Sequence, residues 1–235
     1  MTDPPGPWVM TQRWHDLLFA HWRCDMSGLR RLIPAPLEID SFDGTPWVGV
    51  VPFRMSGVRV RGLPPIPTVH AFLELNVRTY VTLDGRPGVW FFSLDAESSL
   101  AVIGARLGVR LPYFRATMRL TRQGEQIGYT SDRWKNAGGP AAFEAAYHGV
   151  GDPAEATPRS LDHFLTERYS MYASDGKRIW RGDIVHPPWR LQRAVARIDR
   201  NSMADAAGVA ASSHQPLLHF SALQEVRLWR PVRVR

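Results

Sequence analysis

Turn-forming clusters recur along this chain, and the segments between them are short and rich in aromatic and β-branched residues. "HDLLFAHWRC" is one such segment, and "TPWVGVVPFRMSGVRV" follows the turn signal "FDG". "HAFLELNVRTYVTL" and "GVWFFSLDA" are joined by "DGRPG", whose turn formers predict a hairpin. "YFRATMRLTR", "EQIGYTSDRW", "AFEAAYHG", "LTERYSMYAS", "IWRGDIVH", "LQRAVARI" and "HFSALQEVRLW" continue the pattern to the C-terminus. Many short strands with frequent turns restrict the fold to the mainly β class, an antiparallel barrel or sandwich.

Helical signals are few and short. "SGLRRLI" is ended by "PAP", and "ESSLAVIGARLG" offers Ser98 or Ser99 as N-cap and Gly108 as a stop. "TPRSLDHFL" starts at Ser160, and "NSMADAAG" makes one more. With 235 residues and 44% hydrophobic composition, the expected organisation is one domain over residues 10–235 after a disordered lead-in at 1–9, "MTDPPGPW". The longest expected loop, Gly149 to Ser160, is the only seam between halves.

No stretch approaches the roughly 18 consecutive apolar residues of a membrane span, and the N-terminus lacks signal-peptide character. The single cysteine, Cys24, excludes an internal disulfide, fits a cytoplasmic setting and reads as a small apolar filler. A net charge of +7 raises nucleic acid as a partner, but apart from Lys135 and Lys177 the basic residues are all arginine and scattered. The tail "RLWRPVRVR", with Arg227, Arg230, Arg233 and Arg235, is the one cluster. Nucleic-acid association therefore ranks below a small-molecule role.

Phosphate loops, G-x-S-x-G, H-E-x-x-H and paired C-x-x-C motifs are missing from the sequence. His15 and His21, six apart on a strand, are expected to share a face; with no third ligand nearby they read as structural, and no metal or cofactor is expected. The chemistry concentrates in "AFLELNVRTYV". Alternation puts Phe72, Glu74, Asn76, Arg78 and Tyr80 on one face and Leu73, Leu75, Val77, Thr79 and Val81 on the other.

An ordinary wet strand face carries Thr, Lys and Ser more often than this set. Planar, multidentate groups suit a wall that grips a carboxylate or carbonyl compound. Ser93 and Asp95, beyond the hairpin, are expected near this strand, and Arg106 at a helix end. Tyr113, Arg115 and Thr117 are expected on one strand face. "LTERYSMY" offers Glu167, Tyr169 and Met171 against Arg168, Ser170 and Tyr172. Structural pairing of Glu and Arg is the competing reading for each cluster.

The segments "LLFAHW", "RRLIPAPLEIDSFDGTPWVGVVPFRM", "FLELNVRTYV", "GRPGVWFFSLDA", "ARLGVRLPYFRA", "FLTERYSMY" and "VHPPWRLQRA" occur in this order. Together they resemble the YqjF-like family of uncharacterised bacterial proteins over roughly residues 10 to 232. That family is similar in fold to the acetoacetate decarboxylase-like superfamily. The resemblance implies an antiparallel β-barrel with flanking short helices around a central cavity. Acetoacetate decarboxylases use a lysine of lowered pKa that forms a Schiff base and follows a proline in a "PKK"-type segment. The segment here that looks equivalent, "RLPYFRA", carries Tyr113 and Phe114 after Pro112, so the nucleophile is missing. Lys135 and Lys177 stand in polar, turn-rich contexts.

The reading that follows is a small-molecule carboxylate or carbonyl ligand in a cavity, with Glu74 as acid or base and Tyr113 as hydrogen-bond or proton donor. Asn76, Arg78, Tyr80, Ser93, Arg106, Arg168 and Tyr169 would bind the ligand. A lyase, isomerase or hydrolase step without an amine nucleophile is one outcome. A non-catalytic binding or regulatory protein with the same cavity is the second, and a basic structural or nucleic-acid-associated protein the third. Barrel edges and the aromatic-rich N-terminus offer surfaces for a homodimer.

Overall fold

The structure, a computed structural model, describes residues 3–64, 71–97, 111–134 and 139–235. Thirteen strands form one sheet: β1 (Met10–Arg23), β2 (Glu38–Ile39), β3 (Trp47–Val60), β4 (Ala71–Leu83), β5 (Arg86–Ala96), β6 (Tyr113–Gln123), β7 (Gln126–Arg133), β8 (Ala142–Ala154), β9 (Ser170–Ser174), β10 (Ile179–Val185), β11 (Leu191–Asn201), β12 (Leu217–Leu228) and β13 (Val232–Arg233). Their order is β13-β10-β9-β5-β6-β7-β8-β11-β12-β1-β3-β4-β2, with β10 also pairing β12 and β5 also pairing β4. Those two extra pairings close the sheet on itself. One ring runs β1-β3-β4-β5-β9-β10-β12 and the other β1-β3-β4-β5-β6-β7-β8-β11-β12. All ladders are antiparallel except the two that β5 makes, with β6 and with β9.

Strands β1, β3, β4, β5 and β12 belong to both rings and so bury both faces along much of their length. In β4 every residue from Phe72 to Val81 is buried. Its odd-numbered side chains, Leu73, Leu75, Val77 and Val81, pack into the larger core with Leu18, Val50, Tyr129, Phe143 and Tyr147. Its even-numbered side chains face the smaller ring, whose apolar lining includes Leu17, Phe19, Val51, Phe53, Met55 and Trp189. Each fully buried Leu or Val contributes about 1.5–3 kcal/mol relative to exposure, so register is strongly fixed on both sides.

Three short helices are described: α1 (Met26–Leu32), α2 (Leu161–Thr166) and α3 (Met203–Ala206). The Asp25 side chain caps α1 by accepting from the Gly28 amide, and Ser160 caps α2 by accepting from the His163 amide. The helix expected in "ESSLAVIGARLG" lies outside the described residues, apart from Glu97. Among the described residues no helix is long and apolar enough to cross a membrane.

Three local expectations change. The loop from Gly149 to Ser160 is shorter, because β8 continues to Ala154 and pairs with Leu191. Asp3 to Val9 are tied down rather than loose: Asp3 accepts from Arg227, the Gly6 carbonyl from the Trp229 indole, and the Val9 amide donates to Leu228. His15 and His21 do not share a face. Asp16 has a left-handed backbone (φ 59°) in a bulge against β3, which reverses the alternation of β1. Gln12 and Trp14 point into the smaller ring, and so do Leu17 and Phe19 beyond the bulge.

Candidate functional site: a cavity inside the smaller ring

The smaller ring encloses a cavity of about 80 Å³. Its polar wall is the even face of β4, with Glu74, Asn76 and Arg78, joined by Tyr113, Arg168 and His186. Its apolar walls are mostly aromatic. Phe19 meets Trp189 edge-on at 4.9 Å, and Trp14 stacks on Trp189 at 6.1 Å.

Glu74 is 3% exposed, and among the described residues its Oε2 has no hydrogen-bond partner. Burial pushes its carboxyl up to about 8, helped by the Asp95 charge, while a hydrogen bond from Tyr113 pulls it partly back. Glu74 is therefore largely protonated at neutral pH. The Tyr113 hydroxyl is held well above its ordinary pKa by burial and by the adjacent Glu74. A protonated carboxyl hydrogen-bonded to a phenol can donate to a carbonyl, and its carboxylate form can take a proton back.

Arg78 is buried and, among the described residues, has no carboxylate within ion-pair distance. Its Nη2 donates to the Leu165 carbonyl at 3.0 Å, while its Nε has no partner. The guanidinium lies over the Phe19 and Tyr80 rings at 5.3 and 5.8 Å, a partial substitute for an anion. Arg168 is different: Asp40 neutralises it at 2.6 Å, and its Nε donates to the Phe164 carbonyl. Asn76 Oδ1 and Trp189 Nε1 are also buried without partners.

The remaining expected residues divide. Tyr80 shares the β4 face but sits below the cavity with Trp47, Val89 and Leu165. Its hydroxyl donates to the Leu165 carbonyl and contacts His21 Nε2, each at 2.7 Å. With that proton committed, His21 Nε2 donates to Tyr80. Burial holds the imidazole well below its usual pKa, so it is neutral. Gly49 makes room for this ring: a β-carbon there would stand 2.9 Å from His21.

Ser93 turns away from the cavity. Val77 pairs with Ser93 but Arg78 with Phe91, so Phe92 is an extra residue that shifts the alternation of β5. Leu94 takes the inward place expected of Ser93, and Asp95 faces the larger core. Arg106 lies outside the described residues. Arg115 and Thr117 are exposed, unlike Tyr113.

"LTERYSMY" is not one strand. Helix α2 ends at Thr166 and β9 begins at Ser170, so Arg168 and Met171 both reach the cavity. Tyr169 instead stacks on His186 at 4.5 Å and lines clefts on the outer side. Its hydroxyl donates to Glu167 Oε2, and Glu167 Oε1 accepts from the Trp189 amide at 2.9 Å. Glu167 thereby positions Trp189.

Gln12, Trp14, Thr166 and His186 are lining residues that sequence reasoning missed. Only the inward parity of β1 carried a signal for the first two. Lys177 is exposed in a turn and does not line the cavity, and Lys135 lies outside the described residues. Cys24 is partly buried, and burial raises its thiol to about 12, which leaves it an unreactive filler.

The ring-closed sheet has the fold of acetoacetate decarboxylase-like proteins. The structure superposes on an acetoacetate decarboxylase-like enzyme from Sphingomonas wittichii with a TM-score of 0.66, at 13% identity, covering 98% of this chain and 94% of that one. It also matches the acetoacetate decarboxylase of Legionella pneumophila (TM-score 0.65, 13% identity, 100% and 92% covered). A third match is the enduracididine biosynthesis enzyme MppR complexed with pyruvate (TM-score 0.65, 11% identity, 99% and 91% covered). At these identities the likeness concerns the fold. The chain itself belongs to the uncharacterised conserved protein family DUF2071, whose model matches residues 11–225. It is 46% identical over 230 residues to the uncharacterised protein YqjF of Bacillus subtilis, covering 98% of this chain and 94% of that protein.

Proposed function

We propose that this protein binds a small organic acid or carbonyl compound in the cavity of the smaller ring. Arg78 holds the anionic group there, and Glu74 with Tyr113 acts on a carbonyl or hydroxyl. Arg78 carries the argument. A buried guanidinium without an anion is costly, and its partners among the described residues, the Leu165 carbonyl, the Tyr80 hydroxyl and two ring faces, leave Nε without one. A carboxylate supplies what the site lacks. The pyruvate in the complex of one fold neighbour supports a small oxo acid.

Glu74 serves as the acid or base, because a carboxyl near neutrality exchanges its proton readily at working pH. The step belongs to the lyase, isomerase or hydrolase type and proceeds without an amine nucleophile, since among the described residues no lysine lines the cavity. The basic surface argues less for nucleic acid than its charge suggests. In the C-terminal cluster, Arg227 is bound by Asp3 and Arg235 by Asp84.

The test is calorimetric binding and turnover with a panel of oxo acids and lactones, on wild type, Arg78→Gln and Glu74→Gln. Binding lost in Arg78→Gln and turnover lost in Glu74→Gln are the expected results. Binding without turnover establishes a binding protein, and turnover that survives Glu74→Gln removes Glu74 from the acid-base role.

A further inference from the structure

The inner cavity has a larger neighbour. A cleft of about 830 Å³ lies on the outer side of the smaller ring, between the start of β1, the ends of β3 and β12 and the turn after β10. Two of its lining residues, Gln12 and His186, also line the inner cavity, and both are almost fully buried. These two side chains therefore stand between the two spaces. At His186 the wall is one ring thick: Tyr169, which lines the cleft, stacks on the imidazole at 4.5 Å, and Trp189, which lines the cavity, lies 5.2 Å from it.

The wall is also lightly held. His186 follows the last residue of β10, so no ladder fixes it, and its ring is steadied by the Pro187 carbonyl at 2.8 Å and by Gln224 at 3.3 Å. Gln12 lies where the register of β1 against β3 shifts, opposite a stretch of β3 in which Gly57 has a left-handed backbone (φ 60°). Its side chain accepts from the Trp14 indole at 2.8 Å and donates to the Met10 thioether, a weak acceptor, at 3.2 Å. A second outer cleft, of about 380 Å³, shares with the cavity Ile184 alone among the described residues, and Ile184 is fixed in a ladder with Leu228.

The charge of the larger cleft fits an anion on its way in. Of its three arginines, Arg13 is paired with Glu225 and Arg227 with Asp3, each at 2.9 Å. Arg59 is exposed and, among the described residues, has no carboxylate within ion-pair distance. From this arrangement, and resting on the proposed binding role of the inner cavity, we propose that the outer cleft is the capture site and entrance for a small carboxylate anion. Arg59 draws the anion in, and the side chains of Gln12 and His186 swing aside to admit it. An unpaired surface arginine raises the local concentration of anions and speeds their arrival, an effect that salt removes. A side-chain partition acts alike on entry and exit, so it sets both rates and leaves the equilibrium alone.

The experiment is stopped-flow tryptophan fluorescence of the full-length protein with pyruvate and with levulinate, read through Trp14 and Trp189 in the cavity wall. Arg59→Glu should slow association about fivefold at low ionic strength and leave dissociation unchanged. The effect should vanish near about 1 M salt, where charges are screened beyond about 3 Å. Arg119→Glu makes the same charge change at an exposed position of β6 outside the cleft and should slow association far less. Gln12→Ala should raise the association and dissociation rates by the same factor and leave the affinity as it was. Equal slowing in the two charge variants, or unchanged rates in a folded Gln12→Ala variant, overturns the entrance and leaves the binding role of the cavity intact. Absence of binding of either acid to the folded wild type, by fluorescence and by calorimetry, overturns both.

Discussion

Asp95 and Arg133 are joined by two hydrogen bonds, Nε to Oδ2 at 2.7 Å and Nη2 to Oδ1 at 2.6 Å, with almost no exposure of either side chain. The guanidinium also covers the Phe114 ring at 4.2 Å. This bidentate pair ties β5 to the end of β7 directly behind the cavity wall. Asp95→Ala would leave a buried, unpaired arginine and should cost about 3–5 kcal/mol in urea denaturation. The double replacement Asp95→Leu with Arg133→Met should recover most of the loss. A single replacement that costs less than about 1 kcal/mol would show the pair to be dispensable.

Glu74 should make stability fall as pH rises. Its carboxyl is near 8 in the folded protein and near its ordinary 4.5 when unfolded, so the folded state holds its proton longer. The stabilisation is complete below about pH 4.5 and is lost progressively up to about pH 8, on the order of 3–5 kcal/mol in all. Glu74→Gln should flatten this part of the profile. Denaturation series at several pH values in both proteins check it, and matching slopes would contradict a raised carboxyl.

Tyr113→Phe should push the Glu74 carboxyl higher still, since the lost hydrogen bond is the one contribution that lowers it. Infrared titration of the protonated carboxyl stretch measures the midpoint directly. A downward shift would mean that Tyr113 favours the protonated form.

Arg78→Met should leave the ligand-free protein as stable as wild type or more stable, by up to about 1 kcal/mol, while abolishing acid binding. The charge it removes is buried and unneutralised among the described residues, so its loss relieves a desolvation cost. A large drop in melting temperature would assign Arg78 a structural role through its bond to the Leu165 carbonyl.

Borohydride reduction in the presence of pyruvate should leave no adduct on Lys177, which is exposed in a turn away from the cavity, nor on Lys135. Peptide mass mapping reads the result, and a stable adduct on either lysine would restore Schiff-base chemistry.

Much of the site was legible because β4 keeps strict alternation: Glu74, Asn76 and Arg78 face the cavity as the sequence pattern predicts. Two of the errors share one cause. A single extra residue reverses parity, and neither the left-handed Asp16 in β1 nor Phe92 in β5 belongs to a turn-former cluster. His15 and Ser93 were misplaced for that reason. His186 comes from the segment after β10, where position is set by contacts with Pro187 and Tyr169 rather than by a period. The strand count left barrel and sandwich open and the family resemblance implied closure, but the two parallel junctions at β5 are tertiary choices that no local pattern encodes.

Because β4 is a partition between two interiors, its chemistry and its packing are held apart by nothing more than odd and even numbering. Inserting one residue before Glu74 would turn the leucines towards the cavity and drive a carboxyl, an amide and a guanidinium into the larger core. Such a change would destroy both chambers at once. Substitution at even positions, by contrast, reshapes the cavity wall and leaves the neighbouring core undisturbed, so on this strand one chamber can vary while the other stays fixed.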